Sequence, residues 1–221
     1  MEIRKSKFIS VPPQAERLTE RRSAERFIKR FRGDELLVFP GVYGTSVDTE
    51  LMIDTVAISP DETFLEVGVG TGAVSIAIAK KAKSGLGVDI NAIAVENSIE
   101  NARLAKISNV RFVRSNGFQS VQERFDVIIC NPPYGNQMVR DDTDRMFWDP
   151  ADELKIHFFK EVNAHLNPNG RIYFGWADFA DIDVHLPIRL AEENGFQIVN
   201  TVARDSRNHE FQFLVFEIKR Q

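Results

Sequence analysis

With 221 residues, 43% of them hydrophobic and 27% charged, the chain has the balance of a globular protein that can bury its own core, which excludes wholesale disorder. Its apolar runs fall far short of the roughly 18 residues a membrane helix needs, and the charged start over residues 1–7 leads into no signal-type apolar core, so the sequence reads as cytoplasmic. A single cysteine, Cys130, excludes an internal disulfide framework and a cysteine-based zinc cluster, while the net charge of −4 divides unevenly, with ten Lys or Arg against four Glu in residues 1–33 and 18 against 28 in the rest.

The basic start can meet phosphates or an acidic protein face, or it can be a solvated helix surface. After Pro12-Pro13, apolar residues at Leu18, Ala24, Phe27, Ile28 and Phe31 have roughly helical spacing. One amphipathic helix over 14–32 is predicted, with Gly33 as its stop. Residues 1–35 are therefore expected to be a short helical extension and 36–221 the main domain. A second helix is expected over 47–57, with Ser46 or Asp48 near its start and Ser59-Pro60-Asp61 closing it.

From there the pattern becomes regular. Apolar runs at 64–67, 86–88, 110–113 and 125–130 alternate with helical stretches near 73–82 and 92–105, and only a short turn occupies 118–123. Such alternation predicts a parallel sheet with right-handed crossovers. A polar loop over 135–150 is long enough to be a lid or substrate loop. A helix near 151–166 is expected to end at Asn167-Pro168-Asn169-Gly170, before a fifth strand at 171–176. The remainder reads as a helix from 183 to 194 and two strands, 197–203 and 211–218, joined by the polar hairpin 204–210. The fold expected is a Rossmann-like α/β domain: seven strands, mostly parallel, with an antiparallel final strand.

Chemistry enters at the first strand. Phe64-Leu65-Glu66-Val67 runs into Gly68-Val69-Gly70-Thr71-Gly72-Ala73, and a helix follows at once. Glycines let a backbone turn tightly and approach a ligand, and the helix start offers free N–H groups. Asp89, 23 residues after Glu66, ends the second strand, where a carboxylate can accept hydrogen bonds from ribose hydroxyls. Gly68, Gly70 and Ala73 also satisfy the dinucleotide fingerprint, so the loop alone leaves NAD or FAD open. Glu66 tilts the reading towards S-adenosyl-L-methionine, because a site for pyrophosphate gains nothing from a carboxylate, whereas this donor carries a cationic sulfonium and ammonium.

The second motif is Asn131-Pro132-Pro133-Tyr134, 63 residues after Gly68 and at the expected end of the fourth strand. Prolines stiffen the turn and remove competing N–H donors. The Asn131 side-chain oxygen and the Pro132 carbonyl can both accept from one NH₂ group, and Tyr134 can stack on a planar acceptor. An amide or exocyclic amine is a poor nucleophile because its lone pair is delocalised. Holding its hydrogens favours a pyramidal nitrogen, and in-line placement alone can be worth roughly 7–11 kcal/mol. Asn131, Pro132 and Tyr134 are the candidate catalytic residues.

These residues resemble the class I methyltransferases with an Asn-Pro-Pro-Tyr signature, a set that includes the HemK/PrmC protein glutamine N5-methyltransferases and amino-methylating DNA and RNA enzymes. The resemblance covers about residues 40–218, and Asp48-Thr49-Glu50-Leu51 agrees best in the segment before the first strand. It implies Thr49 near the methionine moiety and Glu66, Gly68, Gly70, Gly72, Asp89, Ile90, Asn116, Gly117 and Asn131 around S-adenosyl-L-methionine, with Phe118 packed near the adenine. The acceptor implied is a protein glutamine, as on a translation release factor. A base amine of RNA or DNA held through the basic arm, or a small-molecule amine, is the alternative. The sequence departs from the bacterial enzymes in its short N-terminal piece, in Asn116 where an acid is frequent, and in Gly135-Asn136-Gln137 after the turn. Outside the family, an NAD-dependent oxidoreductase and a non-catalytic cofactor-binding subunit remain as readings.

No metal is expected: His157, His165, His185 and His209 lack paired ligand spacing. Asp141, Asp142 and Asp144 lack the glycine and terminal Glu of a calcium loop and read as a solvated stretch. Trp148 is expected either to close over substrate or to pack under the loop.

Overall fold

The structure, a computed structural model, describes residues 3–221, so the first two residues of the expected extension lie outside it. Helix α1 (Val11–Ser23) begins with proline in its first turn, where the missing N–H costs nothing, and ends on Arg21 and Arg22, the favourable charge for a helix C-terminus. The single helix expected to reach residue 32 stops there. Ala24 is extended, and strands β1 (Phe27–Phe31) and β2 (Asp34–Val38) form an antiparallel ribbon. Its turn, Arg32-Gly33, has positive φ at both residues, as a tight hairpin requires. Apolar positions at 24, 27, 28 and 31 fit a helical period by coincidence; the aromatic and β-branched content of Phe27-Ile28-Lys29-Arg30-Phe31 favours a strand.

Helix α2 (Val47–Thr55) starts with a capping box in which Thr49 Oγ1 accepts from the Ser46 amide at 3.2 Å. The main sheet comprises β3 (Thr63–Val67), β4 (Ser84–Asp89), β5 (Val110–Arg114), β6 (Phe125–Cys130), β7 (Leu166–Ala177), β8 (Phe196–Asp205) and β9 (Gln212–Arg220), in the order β5-β4-β3-β6-β7-β9-β8. The first five positions in that order are parallel neighbours, and β9 runs antiparallel to both β7 and β8. This is the sheet expected from the sequence.

Helices α3 (Ala73–Ala79) and α4 (Ala92–Leu104) carry the chain outward from β3, whereas α5 (Glu153–His165) carries it from β6 to β7 in the opposite direction, and α6 (Leu186–Glu193) packs on α5. Right-handed crossovers running in opposite directions put helices on opposite faces and open a crevice where the direction reverses, at the C-terminal ends of β3 and β6. The core between the layers is aromatic on the α5 side, where Phe158, Phe159, Phe174 and Trp176 are fully buried.

Two further segments differ from expectation. Asn167-Pro168-Asn169-Gly170 does not end the helix. It bulges within β7, between the pairs Phe125↔Leu166 and Val127↔Arg171, and a Cβ at Gly170 would lie 2.6 Å from Leu166 Cδ1. The Asp-rich loop is solvated only in part: the Asp141 and Asp142 side chains stay partly exposed, but Asp144 is buried and receives Arg22 and Arg140, and Phe147 and Trp148 are buried with Leu18 of α1. Trp148 lies against Gly135, where a Cβ would approach its ring to 2.8 Å. Among the described residues no helix is long and apolar enough to cross a membrane, and no cluster of His, Cys, Asp and Glu could hold a metal ion.

Candidate active site

The strand register places the two sequence motifs side by side. Glu66 pairs with Ile129 and Val67 with Cys130, so the chain leaves β3 at Gly68 beside the point where it leaves β6 at Asn131. A cavity of about 820 Å³ opens over these strand ends. Thr49, Glu66, Gly68, Gly70, Asp89, Ile90, Asn116, Gly117, Asn131, Pro132 and Tyr134 all line it. Gly72 does not; it starts α3 at φ 79°, and a Cβ there would meet Ser98 at 3.0 Å, so its need is for the turn. Phe118 is also absent from the lining. It is buried and stacks on His165 at 4.7 Å, which corrects its expected place near an adenine.

On the glycine-loop side, Gly68 adopts φ 84° with nothing within 4 Å of a Cβ position, so a ligand can approach the backbone itself. Asp89 is held by the Gly70 amide at 3.0 Å and the Asn91 amide at 2.9 Å. Glu66, buried, accepts from the Ser75 amide at 2.8 Å and from the Ser75 hydroxyl. Burial pushes its carboxyl up to about 8, against two hydrogen bonds from Ser75 that favour the anion. Burial likewise raises Asp89 and Asp48. Among the described residues no lysine or arginine forms an ion pair with any of these three carboxylates. Two buried acids and a half-buried one, without a counter-ion among the described residues, fit a cationic ligand and are poorly suited to a pyrophosphate.

On the turn side, Asn131 Nδ2 donates to Asp48 Oδ2 at 2.8 Å, and Tyr134 Oη donates to Asn131 Oδ1 at 2.8 Å. Tyr43 Oη donates in turn to Asp48 Oδ1 at 3.2 Å. The Tyr134 ring is packed edge-on against Trp176 and Phe179 at 5.7 and 5.8 Å, so it supports Asn131 rather than offering a face for stacking. The Pro132 carbonyl accepts no hydrogen bond among the described residues, whereas the Pro133 carbonyl accepts from Lys155 Nζ at 2.9 Å. Lys155 is fully buried and paired at 3.0 Å with Asp149, which is itself fully buried.

Sequence reasoning did not find the Asp48–Asn131 bond or the Lys155–Asp149 pair. For Lys155 a signal existed: with Phe158, Phe159 and Val162 it shares the buried face of α5, and a lysine on an apolar helical stripe implies a partner.

Residues 35–209 match the methyltransferase small domain family. The chain belongs to that family. It is a methyltransferase domain, and S-adenosyl-L-methionine is the cofactor of its class, which resolves the choice the glycine loop left open between methyl donor and dinucleotide. Over 108 residues this methyltransferase domain is 44% identical to a protein of Methanocaldococcus jannaschii provisionally named a protein N5-glutamine methyltransferase, covering 48% of the chain and 54% of the relative. It is 29% identical to the release factor glutamine methyltransferase of Fusobacterium nucleatum over 196 residues, 78% of the chain and 53% of the relative. The chain thus spans about half the length of these curated relatives. The crystal structure of ribosomal protein L11 methylase from Lactobacillus delbrueckii subsp. bulgaricus shares the fold, with a TM-score of 0.61 at 24% identity, covering 83% of this chain and 84% of that one.

Proposed function

We propose that this methyltransferase domain moves a methyl group from S-adenosyl-L-methionine to the side-chain amide nitrogen of a protein glutamine. The observation that carries the reading is the bonded set Asp48–Asn131–Tyr134 at the end of β6, beside the glycine loop of β3. The names of the relatives agree with an amide acceptor.

When bound, S-adenosyl-L-methionine supplies an electrophilic methyl carbon on a sulfonium. Glu66, Asp89 and the open backbone at Gly68 and Gly70 are assigned to hold it, with Thr49, Ile90, Asn116 and Gly117 bordering the same space. Asp48 and Tyr134 fix both ends of the Asn131 amide, leaving one acceptor direction on Oδ1. That direction and the unengaged Pro132 carbonyl take the two hydrogens of the acceptor NH₂. Held so, the nitrogen lone pair is directed towards the donor; the N–C bond forms as the C–S bond breaks, and the nitrogen then loses a proton to solvent. Positioning supplies the rate, without a strong base.

The test is transfer of a tritiated methyl group into an extract treated separately with protease and nuclease. The label is expected in protease-sensitive material and, after hydrolysis, in N5-methylglutamine. Label removed by nuclease instead overturns the amide reading in favour of a base amine. Asn131→Ala is expected to abolish transfer while S-adenosylhomocysteine still binds within a few-fold of the original affinity; loss of that binding overturns the assignment of Asn131 to the acceptor.

A further inference from the structure

The cavity is lined by charges of both signs. Besides the carboxylates of Asp48, Glu66 and Asp89, it is lined by four cations, Arg17 and Arg21 of α1, Lys29 of β1 and Arg207 of the β8–β9 hairpin. Among the described residues none of these four cations forms an ion pair with a carboxylate. Arg21 donates to the carbonyls of Val42 and Phe39 at 3.1 and 2.9 Å, and Lys29 to the carbonyl of Thr45, while Arg17 and Arg207 are exposed. The Lys29 ammonium is driven below its usual range first by burial and then by Arg207, against the attraction of Glu50 and Asp48. The lining also contains an orphan: Thr45 is 4% exposed, and among the described residues its hydroxyl has no hydrogen-bond partner. A buried hydroxyl without a partner costs free energy that a ligand can recover. Lys29 donates to the backbone carbonyl of that same residue, three residues before the Asp48 that holds Asn131.

We propose that Thr45, Lys29, Arg21 and Arg207 form an anion subsite on the acceptor side of the cavity, and that it holds the carboxylate of an Asp or Glu flanking the target glutamine in the protein substrate. The proposal rests on the glutamine reading above and deepens it. A single carboxylate fits better than a phosphodiester chain for two reasons. The cations share the lining with Glu20 and Glu210 rather than forming a track across several phosphates. Several basic residues of the arm are also committed elsewhere: Arg22 to Asp141 and Asp144, Arg32 to Asp54, and Arg26 to the ring of Phe39. Charge-assisted hydrogen bonds from a lysine and an arginine fork are the ordinary means of selecting a carboxylate.

The experiment uses the full chain saturated with S-adenosylhomocysteine and two blocked heptapeptides, one with a central glutamine flanked by Asp and its twin flanked by Asn. Calorimetry is expected to show the Asp peptide binding about tenfold more tightly. Thr45→Val, which keeps the shape of the side chain, and Arg207→Gln, on an exposed hairpin, should each shrink that difference, and Lys29→Gln should remove it, all with unchanged affinity for S-adenosylhomocysteine. Equal binding of the two peptides, or absence of binding by both, overturns the subsite. So does a loss of S-adenosylhomocysteine affinity in Thr45→Val or Lys29→Gln, since the cations would then serve the donor's own carboxylate. Tighter binding of a single-stranded oligonucleotide with steep salt dependence, competing with the Asp peptide, overturns it in favour of phosphate. Methylation of the peptides is read separately. A selective Asp peptide that is bound but never methylated leaves the subsite standing and removes the glutamine reading, while methylation without selectivity does the reverse.

Discussion

Asp48 and Asn131 lie 83 residues apart in sequence, and the Asn131 amide donates to the Asp48 carboxylate at 2.8 Å inside the cavity. A helix start before the first parallel strand thereby fixes the side chain that leaves the fourth. The carboxylate is buried, and its remaining oxygen takes the Tyr43 hydroxyl, so the bond forms in a medium where it counts.

Removing that carboxylate should lower turnover rather than donor binding. A hydrogen bond to a charged group is worth about 1.5–3 kcal/mol, so Asp48→Ala is expected to reduce kcat by roughly 10- to 100-fold. Tyr134→Phe deletes a neutral hydrogen bond to the same amide and should cost less, about 2- to 10-fold. Steady-state methyl transfer by each variant checks both values and their order.

Gly175 offers a purely steric test. A Cβ at that position would lie 2.1 Å from Asn131 Oδ1, closer than any real contact, so Gly175→Ala must displace the amide. The expected result is a fall in kcat of at least about tenfold with affinity for S-adenosylhomocysteine unchanged, comparable with Asp48→Ala because both unseat the same group. Normal turnover in Gly175→Ala would show that the position of Asn131 does not govern the reaction.

The Glu66 carboxyl sets a pH dependence. Its ordinary value of 4.5 rises to about 8 in the folded chain because of burial, so between these values the folded state keeps a proton that the unfolded chain releases. Stability should therefore fall as pH rises from about 4.5 to about 8. Asp48 and Asp89, also raised by burial, add a slope of the same sign. Asp144 acts oppositely: burial alone would raise it, but hydrogen bonds from Arg140 and Arg22 take it down to about 2, so its contribution is present above 3.8 and lost as pH falls towards 2. Melting temperature measured against pH should decline less steeply above pH 4.5 in Glu66→Gln than in the original chain.

Lys155→Met should destabilise the domain by about 3–5 kcal/mol, because it leaves the Asp149 carboxylate buried beside no ammonium. Asp149 also accepts from the amides of Leu154 and Lys155 at the start of α5, so Asp149→Leu loses a cap as well as the pair. Denaturant midpoints for the two single variants check the size. The double variant should not recover the stability of the original chain, since the cap remains missing.

The sheet was legible because most of its strands hold a short apolar run closed by a turn; β7 was read only from Arg171 because the polar Asn167-Pro168-Asn169-Gly170 interrupts it. The N-terminal ribbon was not, because Ala24, Phe27, Ile28 and Phe31 satisfy a helical period, which outweighed the strand-favouring aromatic and β-branched content of the same segment; the turn with positive φ at Arg32-Gly33 shows only in the structure. The meeting of Gly68 with Asn131 could be inferred from strand order alone. The partners of Asn131 could not: Asp48 reads as an ordinary first-turn acid, and its contact arises from how α2 packs against the sheet. Tyr134 reads as a stacking surface for a planar acceptor, yet Trp176, Phe179 and Phe213, all distant in sequence, enclose it.

The segment leading into α1 is anchored some 170 residues onward: the amides of Ser10 and Val11 donate to the Asp181 carboxylate, and the Ser6 amide to the Asp178 carbonyl. Helix α1 itself meets residues 39–42 and 141–148, but its leading segment has no partner until residues 178–181 have followed. The pocket floor at β3 and β6, which pair across about 60 residues, can close earlier than the anchoring of residues 6–11, which spans about 170. In a nascent or C-terminally truncated chain the donor half would stand open to solvent, ungated, and the polypeptide would gain its selectivity for acceptors last.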